Sequence, residues 1–299
     1  MSAESDTSLR VVLMTDFGAQ VVGFFNQFMS ANGHRLVAVV TTPGPKNRRT
    51  DSYLGVVQAT PPGIDVIVTT HPKRLAAMLQ PFKPDLIWVM GFLLRLPEDV
   101  IQLPRLGTIN THRGILPKYR GPNPPGWVFR NDEGEIGWTV HRMTAGIDEG
   151  PILGSASVQY GDDDDMQSLF PRWTGLLPAL MAQSLQQVLA RDPGTPQDES
   201  LAGYAGPLEE AWRHINWSQP ARSIHNQVRS WAGGRGMPAG AFGVIDGMRQ
   251  LIFKTRLVAA DSGAAAVPGT LLARTDDSLL IQCGDGPLQI LKWETVSEA

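Results

Sequence analysis

Short apolar, β-branched runs alternate with helix-period stretches through about residue 190, the pattern of an open, mostly parallel sheet covered by helices. Val11 to Met14 begins the series. Gln20 to Ala31 predicts a helix that packs Val21, Phe24, Phe25 and Phe28 on one face, and Arg35 to Thr41 predicts the second strand. Val66 to Val68, Asp85 to Met90, Leu106 to His112 and Gly137 to Met143 read as further strands, with helices over Lys73 to Gln80 and Met166 to Ala190. The pattern then breaks down over residues 191–207, which are rich in Pro, Gly, Asp and Ser and read as a linker. Beyond it comes a helix from Ala221 to Trp231, with Ser218 placed to cap it. Five short strands follow, over Gly240–Val244, Arg249–Val258, Gly269–Ala273, Ser278–Cys283 and Leu288–Trp293. The expected architecture is therefore α/β, a Rossmann-like open sheet over residues 1–190, with a small OB-like β-barrel over residues 208–299.

Composition narrows the classes. With 42% apolar and 18% charged residues among 299, the chain can bury a large core. A net charge of −3 supplies no global basic field for nucleic acid. The single cysteine, Cys283, excludes an intrachain disulfide and fits a reducing compartment. No apolar run approaches the roughly 20 residues that span a bilayer. The polar start, Met1 to Asp6, lacks a signal-peptide core, so a cytoplasmic location is expected. The turn at Gly18 lacks the three-glycine spacing of a dinucleotide fingerprint, which argues against a nicotinamide cofactor. Asp162 to Asp165 are consecutive and diverge in direction, so a solvated loop is expected there and no metal site. His34, His71, His214 and His225 lie in unrelated contexts.

The candidate chemistry sits between Leu106 and Leu153. Asn110 and His112 are two apart on a strand, so both side chains point to one face, and the Gly and Pro that follow open the chain into a loop. Asp148 lies on a turn-rich loop, Thr144 to Pro151, directly after the strand that carries His141. If that strand pairs beside the Asn110 strand, His141 faces the same region.

Gly107-x-x-Asn110-x-His112, Leu116-Pro117-x-Tyr119-Arg120-Gly121, His141-Arg142-Met143 and Ile147-Asp148-x-Gly150 together resemble the folate-dependent formyltransferase family. The likeness covers most of the chain, including the strands at Val11 and Asp85. Family members act on methionyl-tRNA, glycinamide ribonucleotide or amino sugars. The resemblance implies 10-formyltetrahydrofolate as formyl donor and Asn110, His112 and Asp148 as the catalytic set. It also implies pterin contacts from the backbone of Phe92, Leu93, Leu94 and Leu96, closed on the other side by Ala145, Gly146 and Ile147 with Asp148. Formyl transfer passes through a tetrahedral intermediate. The amide of Asn110 and a protonated His112 would hold its oxyanion, each donor being worth about 3 kcal/mol of barrier, and Asp148 would keep His112 charged and accept the amine's proton.

Many relatives carry Ser where this chain has Gly114, and Arg113 directly follows His112, adding a positive charge that suits an anionic group on donor or acceptor. Thr42 to Thr50 is short yet holds Lys46, Arg48 and Arg49. Tyr119 to Trp127 and His141 to Met143 are closer to the amino-sugar relatives. The favoured acceptor is therefore a small-molecule amine, with Arg113, Tyr119, Arg120 and His141 as accessory or acceptor-binding residues and methionyl-tRNA as the alternative. A donor hydrolase and a non-catalytic folate-binding module are the rivals of other classes.

Overall fold

The computed structural model describes residues 8–46, 49–231, 240–259 and 266–296. Met1 to Asp6 and Arg48, used above, lie outside the described residues. The chain runs β1 (Arg10–Thr15), α1 (Ala19–Ala31), β2 (Arg35–Thr41), α2 (Ser52–Ala59), β3 (Asp65–Val68), α3 (Leu75–Leu79), β4 (Leu86–Met90), α4 (Glu98–Ile101), β5 (Thr108–His112), α5 (Pro124–Arg130), β6 (Glu135–Arg142), β7 (Ile152–Gln159), α6 (Met166–Thr174), α7 (Leu177–Leu189), α8 (Ala221–Trp231), β8 (Ala241–Ile245), β9 (Met248–Leu257), β10 (Leu271–Arg274), β11 (Leu279–Gln282) and β12 (Pro287–Thr295).

Seven strands form one sheet in the order β3-β2-β1-β4-β5-β6-β7. The pairs from β3 through β5 are parallel, and β6 joins β5 antiparallel, so the sheet is mostly parallel as expected. β1 lies between β2 and β4, which makes its carboxyl end the point where chain order reverses and where open α/β sheets bind ligands. The near-continuous apolar strands reflect burial on both faces. Val12, Met14, Ile87 and Val89 pack with Leu75, Leu79, Val100 and Ile101 on one side. The alternate residues Val11, Leu13 and Trp88 are buried too.

The fully buried residues of α1 are Phe25, as expected from the sequence, together with Val22 and Met29, while Val21, Phe24 and Phe28 are only partly buried. Phe24 and Phe28 stack on each other at the margin. The helix expected from Met166 to Ala190 is two helices, because Pro178 in the first turn of α7 has no amide to continue the ladder. Asp165 starts α6 with a capping box: its carboxylate accepts from Ser168 N–H at 2.9 Å while Ser168 Oγ accepts from Asp165 N–H at 3.1 Å.

The chain divides into two compact units, one of residues 1–120, 138–156 and 176–202 and the other of residues 121–137, 157–175 and 203–299. The second contains the antiparallel five-strand sheet, β10-β11-β12-β9-β8, of a small barrel-like fold. Its core is Trp217, Ile224, Val228, Trp231, Ile252, Ile281 and Ile290. The first amide of α8, Ala221 N–H, donates to Asp285 at 2.7 Å, so Asp285 and not Ser218 caps that helix. Within this unit each aspartate of the 162–165 run faces a different cation: Asp162 with Arg222, Asp163 with Arg256, Asp164 with Arg172 and Asp165 with Lys254. Among the described residues no helix is long and apolar enough to cross a membrane.

Candidate active site

β5 delivers Asn110 and His112 to its own exit, and the antiparallel register of β6 sets His141 directly opposite Asn110. The loop after β6 then returns Asp148 to the same spot. Asn110, His141, His112 and Asp148 converge. Asn110 Nδ2 lies 3.3 Å from Asp148 Oδ1 and 3.2 Å from His141 Nε2. His112 Nδ1 is 3.5 Å from Asp148 Oδ2, and His141 Nε2 is 3.3 Å from Asp148 Oδ1. Asp148 has φ 54°, a left-handed conformation that Asp tolerates better than bulkier residues but that the surrounding loop must enforce.

Backbone carbonyls settle which ring nitrogens carry hydrogen, since a carbonyl only accepts. His112 Nε2 is 2.6 Å from the Tyr119 carbonyl and therefore donates to it. His141 Nδ1 donates to the Arg142 carbonyl at 2.9 Å. The Nε2 lone pair of His141 then accepts one Asn110 amide hydrogen, and the other reaches Asp148 Oδ1. In the neutral ring the lone pair of His112 is then on Nδ1, which faces Asp148 Oδ2 at 3.5 Å. One proton has a ready seat there.

Burial pushes the His112 imidazole below its ordinary value of 6.5, and it outweighs the Asp148 carboxylate, which acts in the opposite direction. The imidazolium expected from the sequence is thus corrected to a neutral ring at neutral pH. The carboxylate stands where it was expected, but a histidine only 6% exposed loses more from desolvation than it gains from that charge. In this form His112 is a proton acceptor, and Asn110 is the donor ready for an oxyanion.

Of the residues expected on the acceptor side, Tyr119 and Arg120 are engaged within the chain. Tyr119 serves through its carbonyl. Arg120 is buried and grips residues of the 191–207 segment, donating to Gln197 Oε1 from Nε at 3.1 Å and Nη2 at 2.9 Å and to both carboxylate oxygens of Glu199. Gln197 Nε2 in turn donates to the carbonyls of Asp148 and Gly150, at 2.7 and 2.8 Å. Arg120 therefore supports the Asp148 loop through Gln197 and is not open to an acceptor. Arg113 lies with its guanidinium 5.0 Å from the Phe17 ring centroid. Gln197→Ala should lower kcat about tenfold, because it frees the Asp148 carbonyl, and should also lower the melting temperature, because it leaves the buried Arg120 guanidinium short of an acceptor at about 1–3 kcal/mol. Steady-state assays beside thermal melts check this, and an unaltered kcat would refute the clamp.

Of the residues expected to meet a pterin, Leu96 is buried in the core, and Phe92 packs against the same cluster. Leu93 N–H is already taken, donating to Asp16 Oδ2 at 2.8 Å, so only its carbonyl remains for a ligand. Ala145 accepts a hydrogen bond from Arg95, which ties the loop after β4 to the loop that carries Gly146, Ile147 and Asp148. Sequence reading missed Asp16, Arg95 and Gln197. Each acts across a large sequence separation, and only the polar Asp16 at the end of an apolar strand gave a local sign.

Comparison with known proteins accords with this geometry. Residues 10–185 match the family described as formyl transferase, and residues 207–297 match the formyl transferase C-terminal domain. The methionyl-tRNA formyltransferase of Pelobacter propionicus is 36% identical over 270 residues, 88% of this chain and 82% of that protein. The protein of the same name from Citrifermentans bemidjiense is 34% identical over 303 residues, covering 95% and 88%. Among solved structures, an N-formyltransferase from Helicobacter canadensis in complex with folinic acid and dTDP-3-aminofucose superposes with TM-score 0.67 at 16% identity, covering 96% of this chain and 100% of that one. HypX from Aquifex aeolicus in complex with tetrahydrofolic acid gives TM-score 0.67 at 19% identity, and this chain spans 45% of that protein. The two structural likenesses speak to fold alone. The sequence matches go further: the chain belongs to the folate-dependent formyltransferase family.

Proposed function

We propose that this formyltransferase moves the formyl group of 10-formyltetrahydrofolate to the amine of methionyl-tRNA, with Asn110, His112 and Asp148 as its catalytic residues. The observation that supports this acceptor is the likeness, over most of both chains, to relatives named for that activity. The sequence alone favoured a small-molecule amine, and the relatives favour the alternative.

The geometry supports a simple course. The acceptor nitrogen attacks the formyl carbon, a C–N bond forms, and the carbonyl oxygen becomes an anion. Asn110 turns one amide hydrogen from its resting partners to that oxygen, a contribution of about 3 kcal/mol to the barrier. The ammonium proton passes to the seat between His112 Nδ1 and Asp148 Oδ2. Collapse breaks the bond to N10, that nitrogen takes the proton, and the N-formylated acceptor and tetrahydrofolate leave. His141 acts by holding the Asn110 amide in place.

One observation favours a second reading, transfer to a small-molecule amine. Arg222, Lys254 and Arg256, the exposed cations of α8 and β9 that could serve a phosphate backbone, are each engaged by the Asp162–Asp165 run. Radiolabelled 10-formyltetrahydrofolate offered with methionyl-tRNA, with nucleotide-linked amino sugars, or alone separates the readings. Rapid labelling of methionyl-tRNA is expected. Label only on the sugars would establish the second reading, and formate from the donor alone would mark a hydrolase.

A further inference from the structure

Asp16 directly follows β1 at the point where strand order reverses, and it is 2% exposed. A buried carboxylate there carries a desolvation cost that only several donors offset. Among the described residues, donors converge on it from the exits of the two flanking strands. Oδ1 accepts from Thr41 Oγ1 at 2.9 Å and from Thr42 N–H at 2.8 Å, at the end of β2. Oδ2 accepts from Leu93 N–H at 2.8 Å, in the loop after β4. The backbone repeats the tie, with Asp16 N–H donating to the Gly91 carbonyl at 2.8 Å.

The neighbouring residues leave this loop little freedom. Gly91 has φ 68°, and a Cβ placed on it would lie 2.1 Å from the Phe17 ring, so the aromatic ring is seated in the space that only glycine leaves. Thr15 Oγ1 donates to the Met90 carbonyl at 2.8 Å and accepts from Phe17 N–H at 3.1 Å. Phe17 lies under the Arg113 guanidinium. Loops are ordinarily the mobile part of such a sheet, whereas this one is held from β1 at Gly91 and at Leu93.

We infer that Asp16 is the positioning residue of the formyl-donor site: its carboxylate presets the loop from Gly91 to Leu96 so that the carbonyl of Leu93 and the backbone around it meet the pterin without prior ordering. This rests on the folate reading of the family and adds a residue that touches neither donor nor acceptor. Preorganisation of this kind appears in affinity for the donor, because a relaxed loop must be pulled back each time the ligand binds.

Asp16→Asn isolates the role. One of its terminal atoms becomes an NH2, and whichever way the amide turns, that NH2 faces a backbone N–H, either of Thr42 or of Leu93. One buried donor stays unsatisfied, which weakens 5-formyltetrahydrofolate binding on the order of tenfold. The donor KM of the variant should rise by the same factor, with kcat at saturating donor and the acceptor KM unchanged. Thr41→Val leaves the Thr42 and Leu93 amides in place and should bind as the parent does. Amide hydrogen exchange on the unaltered protein provides a reading that does not depend on any variant folding: Leu93 N–H should be protected before folate is added. Unchanged donor affinity in Asp16→Asn, or a Leu93 amide that exchanges freely until folate binds, would overturn the inference. Failure of the unaltered protein to bind 5-formyltetrahydrofolate would overturn the donor reading beneath it, while protection at Leu93 would still be read independently.

Discussion

Asp148→Asn is expected to lower kcat by about 10³-fold, within the range that a positioned proton acceptor contributes. The substitution keeps size and shape, so the left-handed turn at φ 54° and the clamp from Gln197 survive. What it removes is the negative half of the proton seat 3.5 Å from His112 Nδ1. The pH profile should change with it. His112 must be neutral to accept, and burial already holds it below 6.5, so the acid limb of kcat in the parent enzyme falls through a value under 6.5. Asp148 is the largest influence raising that value, and its loss moves the acid limb to still lower pH as the plateau drops. A stopped assay of formyl transfer between about pH 4 and 8, which brackets an unperturbed histidine titration, reads both effects. A profile that keeps its plateau, or shifts its acid limb upward, would refute the assignment.

Trp88→Ala carries the largest expected cost in stability, roughly 3–5 kcal/mol. Trp88 is fully buried in β4, edge-on to Phe25 and Phe28 of α1 with ring centroids 5.6 and 6.1 Å away. Its indole N–H donates to Thr111 Oγ1 at 2.8 Å. Thr111 stands between Asn110 and His112, so truncation opens a cavity, orphans a buried hydroxyl and loosens the strand that bears the site. Trp88→Phe keeps the ring and loses only the N–H, at about 1 kcal/mol. Urea denaturation of the three proteins gives the ranking. A Trp88→Ala variant within about 1 kcal/mol of the parent would show that this face of the sheet is not packed as described.

The strands were legible because buried parallel sheets need continuous β-branched runs, and β1, β2, β4 and β5 supply them. Asn110 and His112 were legible for the same reason, since strand period alone aligns two polar groups inside an apolar run. β7 was not read, because its Gly154, Ser155, Ala156 and Ser157 carry no apolar alternation. Neither was α5, whose Pro124-Pro125-Gly126 start looks like a breaker although proline suits a first helical turn. The charge state of His112 depends on the balance of burial and a neighbouring carboxylate, and only the second had a signature in the chain. Arg120 illustrates the same limit: its type invited an anionic acceptor, but Gln197 and Glu199, remote in sequence, occupy its guanidinium.

A double-mutant cycle on Asn110→Ala and Asp148→Ala, read as single-turnover formyl transfer from 10-formyltetrahydrofolate, tests most directly whether the amide and the carboxylate serve one reacting carbon. Groups that act as a unit are far from additive. A double variant scarcely slower than the worse single one is expected, whereas losses that multiply, or full transfer in either single variant, would contradict a shared reacting carbon.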